Sequence, residues 1–157
     1  MKISKRSVFL VSLLASLTLA SVAMADEHSY TSSATDPAWK AECASCHLAY
    51  PPQLLPASSW RELMSGLDKH FGTDASLDSQ TAVRIATFLE KNAGRDRGSS
   101  RMPILRITET RWFLHEHDEV SGRTWKNPKV KSASNCAACH AGAEQGDFNE
   151  HRIRIPK

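Results

Sequence analysis

Cys43-Ala44-Ser45-Cys46-His47 returns, with Ala138 in place of Ser45, as Cys136-Ala137-Ala138-Cys139-His140. Two thiols separated by two residues, with an imidazole directly after the second, is the spacing by which a chain takes up the two vinyl groups of a haem and offers an axial nitrogen to its iron. A redox dithiol or half of a zinc site also uses Cys-x-x-Cys, but neither chemistry asks for the following His, and here it follows twice. Cys46 and Cys136 stand about ninety residues apart, far beyond the roughly 15 to 20 residues that separate the ligand pairs of a compact zinc ribbon. The chain has 4 Cys, so two haems consume every thiol and leave no disulfide framework. The expected cofactors are two covalently attached haem c groups, one on Cys43 and Cys46 and one on Cys136 and Cys139, with His47 and His140 as axial ligands.

Covalent haem attachment calls for export, and the N-terminus carries the matching signal. Lys2, Lys5 and Arg6 form a basic n-region, Val8 to Ala20 an apolar h-region and Ala23-Met24-Ala25 a small-residue cleavage site. Residues 1–25 are therefore read as a cleaved signal peptide. The apolar run falls short of the about 20 residues of a spanning helix, and no later run reaches even its length. The expectation is a periplasmic protein with no stable membrane insertion, starting near Asp26 with 132 of the 157 residues. Of 20 Lys plus Arg against 17 Asp plus Glu, the signal removes three basic and no acidic residues, leaving 17 against 17. The apparent basicity belongs to the signal, and nothing argues for nucleic acid.

Outward from the first motif, Asp36 and Pro37 read as N-cap and first position of a helix running into Cys43. Pro51, Pro52 and Pro56 mark a loop. Ser59, with Glu62 three residues on, reads as the capped start of a second helix that Gly72 closes. Its apolar side is Trp60, Leu63, Met64, Leu67 and Phe71, with His70 on the same face. A third helix fits Asp78 to Ala93, with Ala82, Ile85, Ala86 and Leu89 as its stripe and Gly94 as its stop. Asn92 to Pro103 has no apolar period and reads as a boundary. Ile104 to Val120 follows, helical from Thr108. The fold is expected to be mainly α with little regular sheet, divided into 26–95 and 96–157. The halves are not a repeat, because the His-bearing helix follows the haem motif in the first and precedes it in the second.

What each iron does depends on its sixth ligand, for which the candidates are His28, His70, His115, His117, His151, Met64 and Met102. A Met ligand raises the potential relative to His, and an open position makes a gas-binding or catalytic site. His70 leads for the first haem, since a His on an apolar stripe needs a partner for its nitrogens; Met64 on that face is read as packing, and Met102 beside Pro103 is the weaker rival. For the second haem, His117 shares an i, i+4, i+7 stripe with Phe113 and Val120 and is preferred to His115, which shares its side with Trp112 but also with Arg111 and Glu119. His28 and His151 read as solvated, though either could cross over to a haem. Arg95, Arg97, Arg101 and Arg106 could pair with propionates, or simply be solvated.

Several further stretches carry a resemblance: Pro52-Gln53-Leu54-Leu55-Pro56, Trp60 through His70-Phe71-Gly72, Ile107-Thr108-Glu109-Thr110, His117, Asn135 through His140, Gly146 to Phe148, and Ile155-Pro156. In this order, over nearly the whole mature chain, they resemble the small periplasmic dihaem cytochromes c. The resemblance implies a class I cytochrome c-like N-terminal haem domain and a small, irregular, partly helical C-terminal one, with bis-histidine ligation that places His70 and His117 as the distal ligands. It also implies low potentials, a membrane-bound cytochrome b as electron donor and a small oxygen-binding monohaem cytochrome c as acceptor.

The reading is thus an electron carrier, expected to be monomeric, in which redox chemistry belongs to the haem and the protein supplies ligands and burial. The rival is a haem enzyme or gas sensor with one open, five-coordinate iron. Two haems already take up most of what 132 residues can enclose, which disfavours it.

Overall fold

In the computed structural model, residues 35–96 and 102–157 are described; the signal segment, His28, Arg97 and Arg101 lie outside them. Helices α1 (Pro37–Cys43), α2 (Ala57–Ser65) and α3 (Ser79–Lys91) make up the first half, and the short α4 (Arg111–Glu116) and α5 (Gly122–Trp125) belong to the second, with single 3-10 turns between. No strand occurs among the described residues, only isolated bridges, in keeping with a mainly helical fold.

Local chemistry accounts for where α1 and α3 begin. The Asp36 carboxylate accepts from the amides of Ala38 and Trp39, and Asp78 does the same for Gln80 and Thr81, so each satisfies donors that an α-helix leaves orphaned at its start. Both carboxyls are held below the usual range, Asp36 chiefly by the Trp39 amide and Asp78 by Thr81. Arg84 on α3 also binds Asp36 at 2.9 Å, tying the start of α1 to the middle of α3.

The second helix departs from expectation at both ends. It starts at Ala57, because the Pro56 carbonyl already accepts from the amides of Ser59 and Trp60. Ser59 is therefore the third helical residue, fully buried, rather than a cap. The helix stops at Ser65, and Gly66 leads into a 3-10 turn, Leu67–Lys69. The Ala75 amide donates back to Leu67, so the chain loops there instead of continuing helically to Gly72. His70 accordingly sits just after a tight turn, not on a helix face. The region expected to be helical from Thr108 likewise divides into a 3-10 turn, Ile107–Glu109, and α4, whose N-cap Thr110 accepts from Phe113. His117 is the residue that ends α4.

Trp39, Leu55, Trp60, Leu63, Ile85 and Leu89 form the core of the first half. Trp39 packs on Phe88 with ring centroids 5.2 Å apart. The Trp60 indole donates to the Pro52 carbonyl at 2.7 Å, satisfying the one polar atom that this buried side chain brings with it. Leu105 and Ile107 reach back from beyond the loop onto this core. Gly94 donates its amide to Leu55 at 2.9 Å, and any Cβ there would collide with the Gln53 carbonyl. Gly94→Ala should therefore cost about 1–3 kcal/mol, as overpacking does, read as a lower urea midpoint at unchanged slope. An unshifted midpoint would mean that the Gln53 loop yields freely.

The second half is held less by helices than by turns and a returning tail. Phe113, Val130 and Ala143 are buried. Gly146 takes a left-handed φ of 76°, which a glycine adopts without steric cost. The tail then runs back along the second motif: the Arg154 amide donates to Cys139 at 2.9 Å, and Asn127 holds Pro156 at 3.1 Å. No helix among the described residues is long and apolar enough to cross a membrane.

Candidate haem-binding sites

The two histidines of the motifs each face a second histidine. His47 and His70 have ring centroids 6.1 Å apart and nearly parallel, 22° between planes. His140 and His117 have centroids 6.2 Å apart at 71°. A first-row metal bonds an imidazole nitrogen at about 2.0–2.1 Å, which sets the centroids of two imidazoles on opposite sides of one ion about 6.3 Å apart. Both separations match that distance, and direct stacking would bring the rings closer.

The elements deliver these imidazoles in different ways. α1 ends at Cys43 and exposes the rest of the first motif, where the His47 Nδ1 donates to the Leu48 carbonyl at 2.7 Å. In the second motif a 3-10 turn, Cys136–Ala138, does the same work, with the His140 amide donating to Cys136 at 2.8 Å. His117 is the better-supported facing residue. Its Nδ1 donates to Phe113 at 2.9 Å, and its ring stacks on that phenyl with centroids 4.0 Å apart. That contact orients the ring and leaves Nε2 as the nitrogen with a lone pair to offer. The His70 Nδ1 is buried with no hydrogen-bond partner. Its ring is positioned by Phe71, centroids 4.8 Å apart, whose left-handed φ of 50° is unusual for an aromatic residue. Arg106 lies over Phe71, 4.0 Å from the ring centroid.

Burial favours the neutral form of His70 and His140, the form that can ligate a metal. Burial lowers the His70 pKa, helped by His47 and Arg106. It lowers that of His140 too, helped by His117 and opposed by Asp147. The thiols go the other way: burial pushes Cys43 and Cys136 up to about 11 and raises Cys139.

One cavity of about 1050 Å³ runs past both Cys pairs and all four imidazoles, walled by core side chains such as Leu63, Leu89, Phe113 and Val130. Its size is at the upper end of the about 300–1,000 Å³ of small-molecule sites, and it is largely apolar, as the faces of two macrocycles require. The residues present therefore fit haem at both motifs. Among the other candidates, Met64 lines the cavity but also packs against the core. Met102 is 75% exposed, His115 is exposed, and His151 lies beside Glu150 at the surface. Arg106 also pairs with Glu109 at 3.6 Å, and Arg95 is exposed. Tyr50, Phe71, Trp125 and Phe148 complete the surroundings of the imidazoles. Of these, the sequence reading passed over Tyr50 and Trp125, and only closeness to the first motif could have flagged Tyr50.

The dihaem cytochrome c family matches residues 39–148 of this chain. Among solved structures, a dihaem cytochrome c from Rhodobacter sphaeroides is 49% identical, over 73% of this chain and 97% of that one, with a TM-score of 0.67. A dihaem cytochrome c from Shewanella baltica is 43% identical, over 76% of this chain and 92% of that one, with a TM-score of 0.68. No curated protein matches.

Proposed function

Since the chain belongs to the dihaem cytochrome c family, we propose that it carries electrons in the periplasm from a membrane-bound cytochrome b to a small oxygen-binding monohaem cytochrome c. The chain is an electron carrier rather than an enzyme, and it holds two covalently bound c-type haems. In our reading Cys43 and Cys46 bind the first haem, with His47 and His70 as its axial ligands. Cys136 and Cys139 bind the second, between His140 and His117. The two units are 26–95 and 96–157, with Leu105 and Ile107 strapping the second onto the core of the first.

The observation that carries this reading is the matched pair of imidazole separations, 6.1 and 6.2 Å, each joining one motif His to one His from elsewhere in the chain. A bound haem supplies the one-electron couple. The chain's own part is to fix the imidazoles, shield the macrocycles from water and present an edge to partners. One imidazole on each side of a bound iron would give a carrier coordination that changes little on reduction, whereas an enzyme or sensor needs an open position.

The test is the holoprotein produced with periplasmic export. Intact mass should show a polypeptide beginning near Asp26 plus two haems, and both irons should be low-spin in ferric and ferrous spectra, without the far-red band of Met ligation. Haem freed into acidified acetone would overturn the covalent reading, and rapid carbon monoxide binding by one haem would favour an open site.

A further inference from the structure

Tyr50 touches both candidate sites at once. Its ring stacks on His47, centroids 4.9 Å apart and 25° between planes. Its hydroxyl donates to the Ser134 carbonyl at 2.7 Å, across 84 residues of sequence. Ser134 stands two residues before Cys136, and the Cys136 Sγ lies 3.7 Å from the same carbonyl. One side chain thus spans from an imidazole of the first site to the attachment loop of the second.

That loop is stiff on its own side. Lys131 has a left-handed φ of 66°, and the amides of Ser132 and Asn135 donate to Val130 and Ser132. The Ser132 and Ser134 hydroxyls pair at 2.8 Å, and the Asn135 side chain holds the carbonyl of Val130, which is fully buried. On the other side, the Leu48 carbonyl orients His47, and Pro51-Pro52 follows Tyr50 directly. Two rigid loops meeting through one hydroxyl make a joint whose setting fixes the distance between them.

We propose that Tyr50 is the positioning residue that couples the two haem sites, docking the Cys136 loop against His47 and so setting the separation across which electrons pass between haems. The exchange moves one electron from a ferrous to a ferric haem, with no bond made or broken and no proton transferred. This rests on the reading of His47 as an axial ligand and Cys136 as an attachment point. The wild-type spectra and mass test that reading separately, so its failure is distinguishable from failure of the Tyr50 role.

The experiment compares holoprotein Tyr50→Phe and Tyr50→Leu with wild type by intact mass, ferric spectrum, hydrogen exchange of 132–136 and the rate of interhaem electron exchange in half-reduced samples. Tyr50→Phe keeps the ring and removes only the hydroxyl, so both haems should stay loaded and low-spin. A lost hydrogen bond shifts the balance between docked and undocked loop by about fivefold. Protection of 132–136 should fall by that factor and interhaem exchange should slow. Tyr50→Leu should add a shift in the first haem's potential, because the ring on His47 is gone. Wild-type protection and exchange rate in Tyr50→Phe would overturn the proposal, whatever Tyr50→Leu does.

Discussion

Replacing Cys43 and Cys46 with Ala should give a protein that carries one haem by intact mass and loses the helical signal of α1 to α3. The reason lies in how little the first half buries without its cofactor. Its core is six side chains, and Leu63 and Leu89 among them also face the cavity. The cavity, about 1050 Å³, is open to water, so without haem the apolar side chains that wall it are left wetted instead of packed. Domains are stable by only about 5–15 kcal/mol. A chain denied its haems must collapse or flood this space, either of which dismantles the packing of Trp60 and Leu63. Units of about 60 residues are marginal in any case, and a thioether-bound haem acts as staple and core together. Replacing all four cysteines should leave a largely unfolded chain by far-ultraviolet circular dichroism. Retention of two haems in the Cys43, Cys46 variant, one extractable into acidified acetone, would place the stabilisation in the imidazoles rather than the thioethers.

Legibility followed the range of the interaction. The motifs were readable because thioether chemistry needs its residues adjacent, and α1 and α3 because Asp36 and Asp78 bond amides two and three residues away. The ends of α2 were not. Ser59 and Glu62 have the spacing of a capping box, but the Pro56 carbonyl starts the helix three residues earlier, and the hydroxyl turns into the core. The helical stripe that points to His70 is real for Trp60 and Leu63 but ends with α2 at Ser65, short of the histidine. His70 reaches its place opposite His47 because Gly66 and the Leu67–Lys69 turn redirect the chain. The Phe113 to His117 step, by contrast, is a true i, i+4 relation, since α4 persists just long enough to stack the two rings. Tyr50 to Ser134 and Cys139 to Arg154 left no trace in local pattern. Both depend on how segments far apart in sequence come to rest around one cavity.

His70→Ala should open only the first haem to carbon monoxide, and His117→Ala only the second, as judged by ferrous spectra and by the fraction of haem converted. Each variant should convert one haem of the two, and the double variant both. The surroundings of the two imidazoles make the expected effects unequal. His117 is oriented by the Phe113 carbonyl and flanked by Phe113 and Trp125. Groups that orient a metal-ligating His in this way typically contribute 10–100-fold to metal affinity. His70 has no such bond at its Nδ1 and relies on Phe71 and Arg106 to keep it in place. Loss of His117 should therefore move its haem's potential further than loss of His70 moves the other. Phe71→Gly, which relieves the left-handed φ but removes the aromatic contact, should loosen the first haem alone. His115→Ala should leave both irons low-spin, since that side chain lies outside the cavity. Carbon monoxide binding to the second haem in His115→Ala but not in His117→Ala would show that the ring stacked on Phe113 is packing rather than a ligand. Opening of the second haem by His70→Ala would mean that the two halves exchange ligands, and the division near Arg95 would fall with it.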